Sequence, residues 1–313
     1  MKFKTKIVKG LRVSLLLYFG AFSLGCVSAT SKNMVANFGG ATKALAGQTE
    51  ATVKQVSTSD SNFAVSSALS DNTLGVGSGL VIPSIPRDSI ELRLRLLGEI
   101  AKYSDALLAM SSDDEAVRID KASRDLYSAL GALNTTIQKN SGDKKPPISD
   151  NDLQIIATVT DVAGRWFFER ARLKALQTTI NKANPAITQA IDLLKTDLDE
   201  NGSWSKSLSI SLTGEAKNLY KVAQSTSNLL ERRNMLAESQ QLYDQSISVQ
   251  GIFHRLTSAM EELKKAHSAL AVALENDSSI NVKEALSSLS KFEDEINRIY
   301  AFQASLASSN NKN

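Results

Sequence analysis

Two histidines and one cysteine are the imidazole and thiolate groups that could bind a metal in this chain of 313 residues. His254 and His267 lie about 220° apart around one helix, so they cannot grip a single ion from it. Glu261 and Glu262 ahead of His267 do not reproduce the two-histidine zinc pattern. Both histidines are therefore expected in solvent or between helices, with no metal site. Asp113-Asp114 pairs two carboxylates, but general acid–base chemistry needs a second, separated group in a recognisable frame, and none is visible. Gly75, Gly77 and Gly79 alternate without the Lys-Ser/Thr ending and helix start of a phosphate loop. No nucleophile elbow or suitably placed Ser-x-x-Lys pair appears. The reading is a non-enzyme without cofactors. One group invites recognition chemistry instead: Trp166, Phe167 and Phe168 stand beside Glu169, Arg170 and Arg172. Aromatic residues and arginine dominate binding hot spots. Three consecutive aromatics sweep about 200° of a helix, so at least one is expected outside a core. Trp166, Phe167, Phe168, Arg170 and Arg172 are the candidate partner-binding set, and a wide core contact is the competing reading.

The N-terminus carries an address. Lys2, Lys4, Lys6, Lys9 and Arg12 precede an apolar run from Val13 to Gly25, which ends at Cys26, the only cysteine. That run is shorter than the roughly 20 residues a spanning helix needs, and it fits a removable export signal. Ser23-Leu24-Gly25-Cys26 resembles a bacterial lipobox: Gly25 and Cys26 match, and Ser23 stands where leucine is usual. The resemblance implies a lipidated Cys26 at the head of the mature chain, a membrane contact through that lipid and, with Val27 rather than aspartate next, an outer-membrane destination in a diderm cell. Val27-Ser28-Ala29 is the alternative cleavage site, which would release a chain beginning at Thr30.

Charge and composition narrow the partners. The chain has 36 basic and 33 acidic residues; without the five basic residues of the signal, 31 basic face 33 acidic. No like-charge run or arginine–aromatic interleaving supports nucleic-acid binding. A lone cysteine excludes an internal disulfide framework, so stability must come from packing. The chain is 42% hydrophobic, enough for one or two cores.

The elements that must position these residues read as helices. Residues 1–25 form the signal and 26–87 a tether. The tether has a weak helix near Met34–Val56 and a Ser/Gly-rich irregular stretch from Ser57 to Arg87, where Leu80, Val81, Ile82 and Ile85 are expected against the bundle. Residues 88–308 form the bundle and 309–313 a frayed tail. Ile90, Leu94, Leu97, Ala101 and Leu108 make one apolar row, with Leu92, Leu96, Ile100 and Tyr103 a second. Ile119, Leu126, Leu130, Leu133 and Ile137 line the next helix. A third runs from Asp150 to Lys182, capped by Ser149 or Asp150, and Asn184-Pro185 restarts the chain in a new one. Ser205 to Glu275 would be one helix of roughly 105 Å, so a bend is expected at Gly251 or within Ser239–Gln250. Its second part spaces Ile252, Leu256, Ala259, Leu263, Ala266, Leu270 and Ala273 like a coiled coil. The last helix places Leu286, Leu289, Phe292, Ile296, Ile299 and Leu306 inward, and Trp204 plugs a bundle end. No period-two stretch predicts a strand.

The fold class expected is all-α: an elongated antiparallel bundle of five to seven helices with coiled-coil-like pairs. The function expected is an envelope-tethered interaction or scaffold protein with a protein partner. The alternatives are a helical module for a small apolar or cell-wall ligand, or a secreted effector or immunity-type factor.

Overall fold

A computed structural model describes residues 5–70, 85–112, 116–141, 145–166, 169–275 and 278–310, with side chains for 29–70, 85–111, 118–139, 145–162, 170–275 and 278–303. The described residues form eight helices and no strand: α1 Thr5–Ser70, α2 Arg87–Ser112, α3 Ala116–Ser141, α4 Asp150–Trp166, α5 Glu169–Asp197, α6 Ser203–Ser225, α7 Leu229–Glu275 and α8 Ser279–Asn310. The protein is an all-α bundle. Among the described residues, no helix is long and apolar enough to cross a membrane.

One connected core fills the body. It takes Met34, Phe38 and Leu45 from α1, Leu96 and Leu107 from α2, and Leu126, Leu130 and Leu133 from α3. Ile180 and Ile191 of α5, Phe253 to Ala273 of α7, and Leu289, Phe292 and Ile296 of α8 complete it. The expected rows of α2, α3 and α7 face inward. Leu286 does not: it is 44% exposed, because the buried face of α8 is set by Ala285, Leu289, Phe292, Ile296 and Ile299. Leu306 lies outside the described side chains, as do Leu80, Val81 and Ile82 of the irregular stretch, whereas Ile85 is buried.

Four boundaries differ from the sequence-based expectation. The helix expected from Asp150 to Lys182 is divided between α4, which ends at Trp166, and α5, which begins at Glu169. The helix of α1 continues through the Ser/Thr-rich residues 57–70 because α6 packs along it. There Thr58 and Ser61 return their hydroxyl protons to carbonyls one turn back. Pro185 sits within α5 instead of starting a helix. Its ring faces solvent while Ala183, Ala186 and Ile187 are buried around it, so packing holds the helix on both sides of the lost hydrogen bond. The long segment breaks at Thr226–Asn228, not at Gly251. Asn228 Oδ1 accepts from the N–H groups of Leu230 (3.0 Å) and Glu231 (3.4 Å), and Thr226 N–H returns to Ala223 O. Gly251 instead permits close packing: a Cβ there would lie 3.0 Å from Cζ of Phe302 in α8.

Of the two expected caps of α4, Ser149 does the work. Its Oγ accepts from Asp152 N–H at 3.1 Å and donates to the Asp152 carboxylate at 2.8 Å. Asp152 also meets Lys182 of α5 at 2.7 Å. Hydrogen bonds from Lys182 and then Ser149 hold its carboxyl below the usual carboxylate range.

α5 runs antiparallel to α7, whereas α1 and α6 run parallel, with Asp60 beside Ser207 and Ser211 and Ser66 beside Asn218. Lys195 of α5 meets Glu261 of α7, and Asp192 meets Lys264 at 2.8 Å. Arg93 of α2 pairs with Asp197 of α5. Among the described residues, a three-helix arm extends beyond the start of α2 and the end of α5, formed by the last turns of α1, by α6 and by the first half of α7.

Candidate functional site

The strongest chemical constellation is buried at a junction of three helices. Tyr103 of α2, His267 of α7 and Asn184 of α5 form a chain: Tyr103 Oη lies 2.9 Å from His267 Nε2, and His267 Nδ1 lies 2.8 Å from Asn184 Oδ1. An amide oxygen only accepts, so the network assigns the imidazole proton to Nδ1. Nε2 then accepts from the tyrosine hydroxyl. Ser268 adds a second donor to Asn184 Oδ1 at 3.3 Å. Phe38 of α1 meets the imidazole edge-on at 5.2 Å between centroids. Burial pushes the imidazole down to about 3 and pushes the phenol above its ordinary range. Both groups are therefore neutral at pH 7. Tyr and His linked this way could pass a proton, but both are 0% exposed and present no surface to a substrate. The arrangement registers α2, α5 and α7 against one another.

His267 adjoins Ala266 of the coiled-coil row, four residues after Leu263 and three before Leu270, a spacing from which its burial could have been read. His254 lies at the surface, 2.5 Å from Glu200. The two histidines are thus separated by helix phase, one inside and one outside. Among the described residues no group of three or more His, Cys, Asp or Glu side chains could hold a metal ion.

The aromatic and arginine set lies at the α4–α5 junction. Trp166 ends α4, but its side chain is outside the described set, and Phe167 and Phe168 are outside the described residues. The two arginines are divided. Arg170 is exposed, whereas Arg172 is only 7% exposed and donates from Nη2 to Ser111 O at 2.9 Å. A cation at the last carbonyls of α2 suits the negative end of that helix. Cys26 falls within the span of α1, and its side chain too is outside the described set.

The arm has a different interior from the body. Asp60 of α1 accepts from Ser207 (3.2 Å) and Ser211 (2.5 Å) of α6. Asn218 Nδ2 donates to Ser66 and Ser67, and Ser239 of α7 donates to Ala216 O at 2.8 Å. Glu215 is buried there, and its carboxyl is pushed up by burial and then by nearby Glu238. Large apolar side chains on the arm instead face solvent: Val65 and Leu69 of α1, Ile210 and Tyr220 of α6, and Leu229, Leu230, Leu236, Tyr243 and Ile247 of α7. Isolated exposed apolar residues are ordinary, but a concentration of them marks an interaction surface. Composition hides this, because the arm as a whole is Ser-rich and polar. Elsewhere, an open groove of about 380 Å³ between α1 and α8 is lined by Ala36, Gly40 and Ile296, with polar Asn37, Glu293 and Asn297.

Compared with protein-family models, curated proteins and solved structures, the chain finds no match.

Proposed function

We propose that this protein is an exported helical lipoprotein, held at the cell envelope by acyl chains on Cys26, that works by contact and not by catalysis. The observation that carries the contact reading is the arm, which turns Val65, Leu69, Ile210 and Tyr220 outward from a hydrogen-bonded interior. In this reading the body is a rigid spacer and the arm presents α1 and α6 to a protein partner. The α4–α5 junction, with Trp166, Phe167, Phe168 and Arg170, is a second contact surface. The export reading rests on the basic-then-apolar N-terminus and on Cys26 following Gly25.

The test has two arms. Replacing Cys26 with alanine should move the protein from the membrane fraction to the soluble fraction and abolish labelling by a fatty-acid analogue. Affinity capture of the detergent-extracted wild type, followed by mass spectrometry, should yield a protein that an Ile210→Asp/Leu69→Asp variant no longer retains. An unlabelled wild type would refute the tether, and capture unaffected by the two substitutions would refute the arm as the contact.

A further inference from the structure

Along α7 a row of residues recurs every seventh position: Arg233, Gln240, Ile247, His254, Glu261 and Ser268. In the body this row runs along the edge of α5, with His254 and Glu261 still partly open to solvent. His254 meets Glu200 just after α5, Glu261 meets Lys195, and Ser268 meets Asn184. In the arm α5 has ended at Asp197, and the same row continues without it. A second row, Leu229, Leu236 and Tyr243, runs beside it. Together they form a seam about 27 Å long at 1.5 Å per residue. Leu229 is 78% exposed, Leu236 38%, Tyr243 49% and Ile247 65%. Among the described residues nothing buries this seam, and its spacing suits a further helix.

Its order identifies the occupant. Leu229, Arg233, Leu236, Gln240, Tyr243 and Ile247 are separated by steps of four, three, four, three and four. That series reads the same in both directions. An antiparallel copy of the seam, centred on residue 238, brings Leu229 opposite Ile247 and Leu236 opposite Gln240. It sets Arg233 at the level of Tyr243 and Asp244, so an aromatic face and a carboxylate both await the guanidinium. Two-fold symmetry makes each of these contacts twice. We propose that two copies of this chain associate through α7, antiparallel and in this register, as a short two-stranded coiled coil.

The experiment is sedimentation equilibrium on the full chain in non-ionic detergent. The seam is short, so a reversible dimer with a dissociation constant roughly in the micromolar range is expected. Arg233→Asp places like charges together and should weaken the dimer at least about tenfold. Adding Asp244→Arg to that variant should restore it to within about threefold, since both opposed pairs are re-formed with reversed sign. Both positions are exposed, so helical content and thermal midpoint should stay at the wild-type values. As a register test, Leu229→Cys/Ile247→Cys with Cys26→Ser should oxidise to a covalent dimer. A wild type that stays monomeric at about 200 µM, where such a dimer is mostly formed, overturns the proposal. So does a dimer indifferent to Arg233→Asp, or one that the charge swap does not rescue.

Discussion

Lowering the pH from 7 to 5 should destabilise this protein through one residue, His267. An unfolded chain binds a proton at a free imidazole near pH 6.5. The folded imidazole is depressed to about 3, because burial disfavours the cation and both ring nitrogens are engaged in the neutral form. Below 6.5 the unfolded state therefore gains protons that the folded state refuses, and stability falls as pH falls. The loss is close to zero at pH 7, about 2 kcal/mol at pH 5, and reaches about 5 kcal/mol once the pH is below 3. The window from 7 to 5 avoids most of the titration of Asp152 and Glu261, whose depressed carboxyls lose their stabilising contribution only at lower pH. Glu215 acts with opposite sign: its raised carboxyl favours the fold at low pH and loses that contribution as pH rises. The assay is urea unfolding followed by circular dichroism at pH 7 and pH 5, on the wild type and on His267→Gln. Glutamine does not titrate, so the variant, though less stable overall, should lose about 2 kcal/mol less between the two pH values than the wild type. Equal losses in the two proteins would refute the buried neutral imidazole.

Asn134 of α3 imitates a backbone: Nδ2 donates to Ile148 O and Oδ1 accepts from Ile148 N–H, both at 3.0 Å, and Ile148 is buried. Asn134→Ala should cost about 1–3 kcal/mol for each of the two orphaned groups, measured by chemical denaturation. Two glycines of α1 should respond in opposite directions. A Cβ at Gly39 would come within 2.8 Å of Ser104 O on α2, so Gly39→Ala should destabilise by about 1–3 kcal/mol despite its better helix propensity. At Gly47 nothing lies within 4 Å, and Gly47→Ala should stabilise by up to about 1 kcal/mol in the same measurement.

Much of the fold could be read from spacing. The rows of α2, α3 and α7 and the cap at Ser149 follow from local pattern, because each depends on residues three or four apart. What the pattern could not supply was non-local. The fate of 57–70 depends on α6, some 150 residues later, because Ser and Thr form helix readily only when a neighbour absorbs their polar side. Gly251 reads as a breaker along the chain, but it is a contact point once Phe302 is beside it. Asn184-Pro185 reads as a restart, but Asn184 is held by His267 and the helix runs on. The chemical residues divide in the same way. His254 and His267 differ in burial by phase alone, which the sequence contains. The chain from Tyr103 through His267 to Asn184 joins three helices, which it does not announce. Arg170 and Arg172, read as one pair, lie on opposite sides of the helix surface.

The contrast between body and arm gives the physical logic of the molecule. In the body, buried Leu, Ile and Phe side chains make α7 part of one core, and stability there is cooperative. In the arm, serine hydroxyls, Asn218 and Asp60 join α1 to α6 beside buried Leu208 and Leu212 and the ring of Phe63 against Gly214. Hydrogen bonds of this kind contribute only about 0.5–1.5 kcal/mol each, because water competes for the same groups. Such bonds specify register without adding much stability, whereas several apolar residues that could have thickened a core are turned outward. A helix pair built this way is the part of the structure most easily reshaped by whatever covers Leu229, Tyr243 and Ile247. The continuous α7 joins that compliant end to the body. Covering its arm would therefore be felt along the same helix that holds His267 against Tyr103 and Asn184.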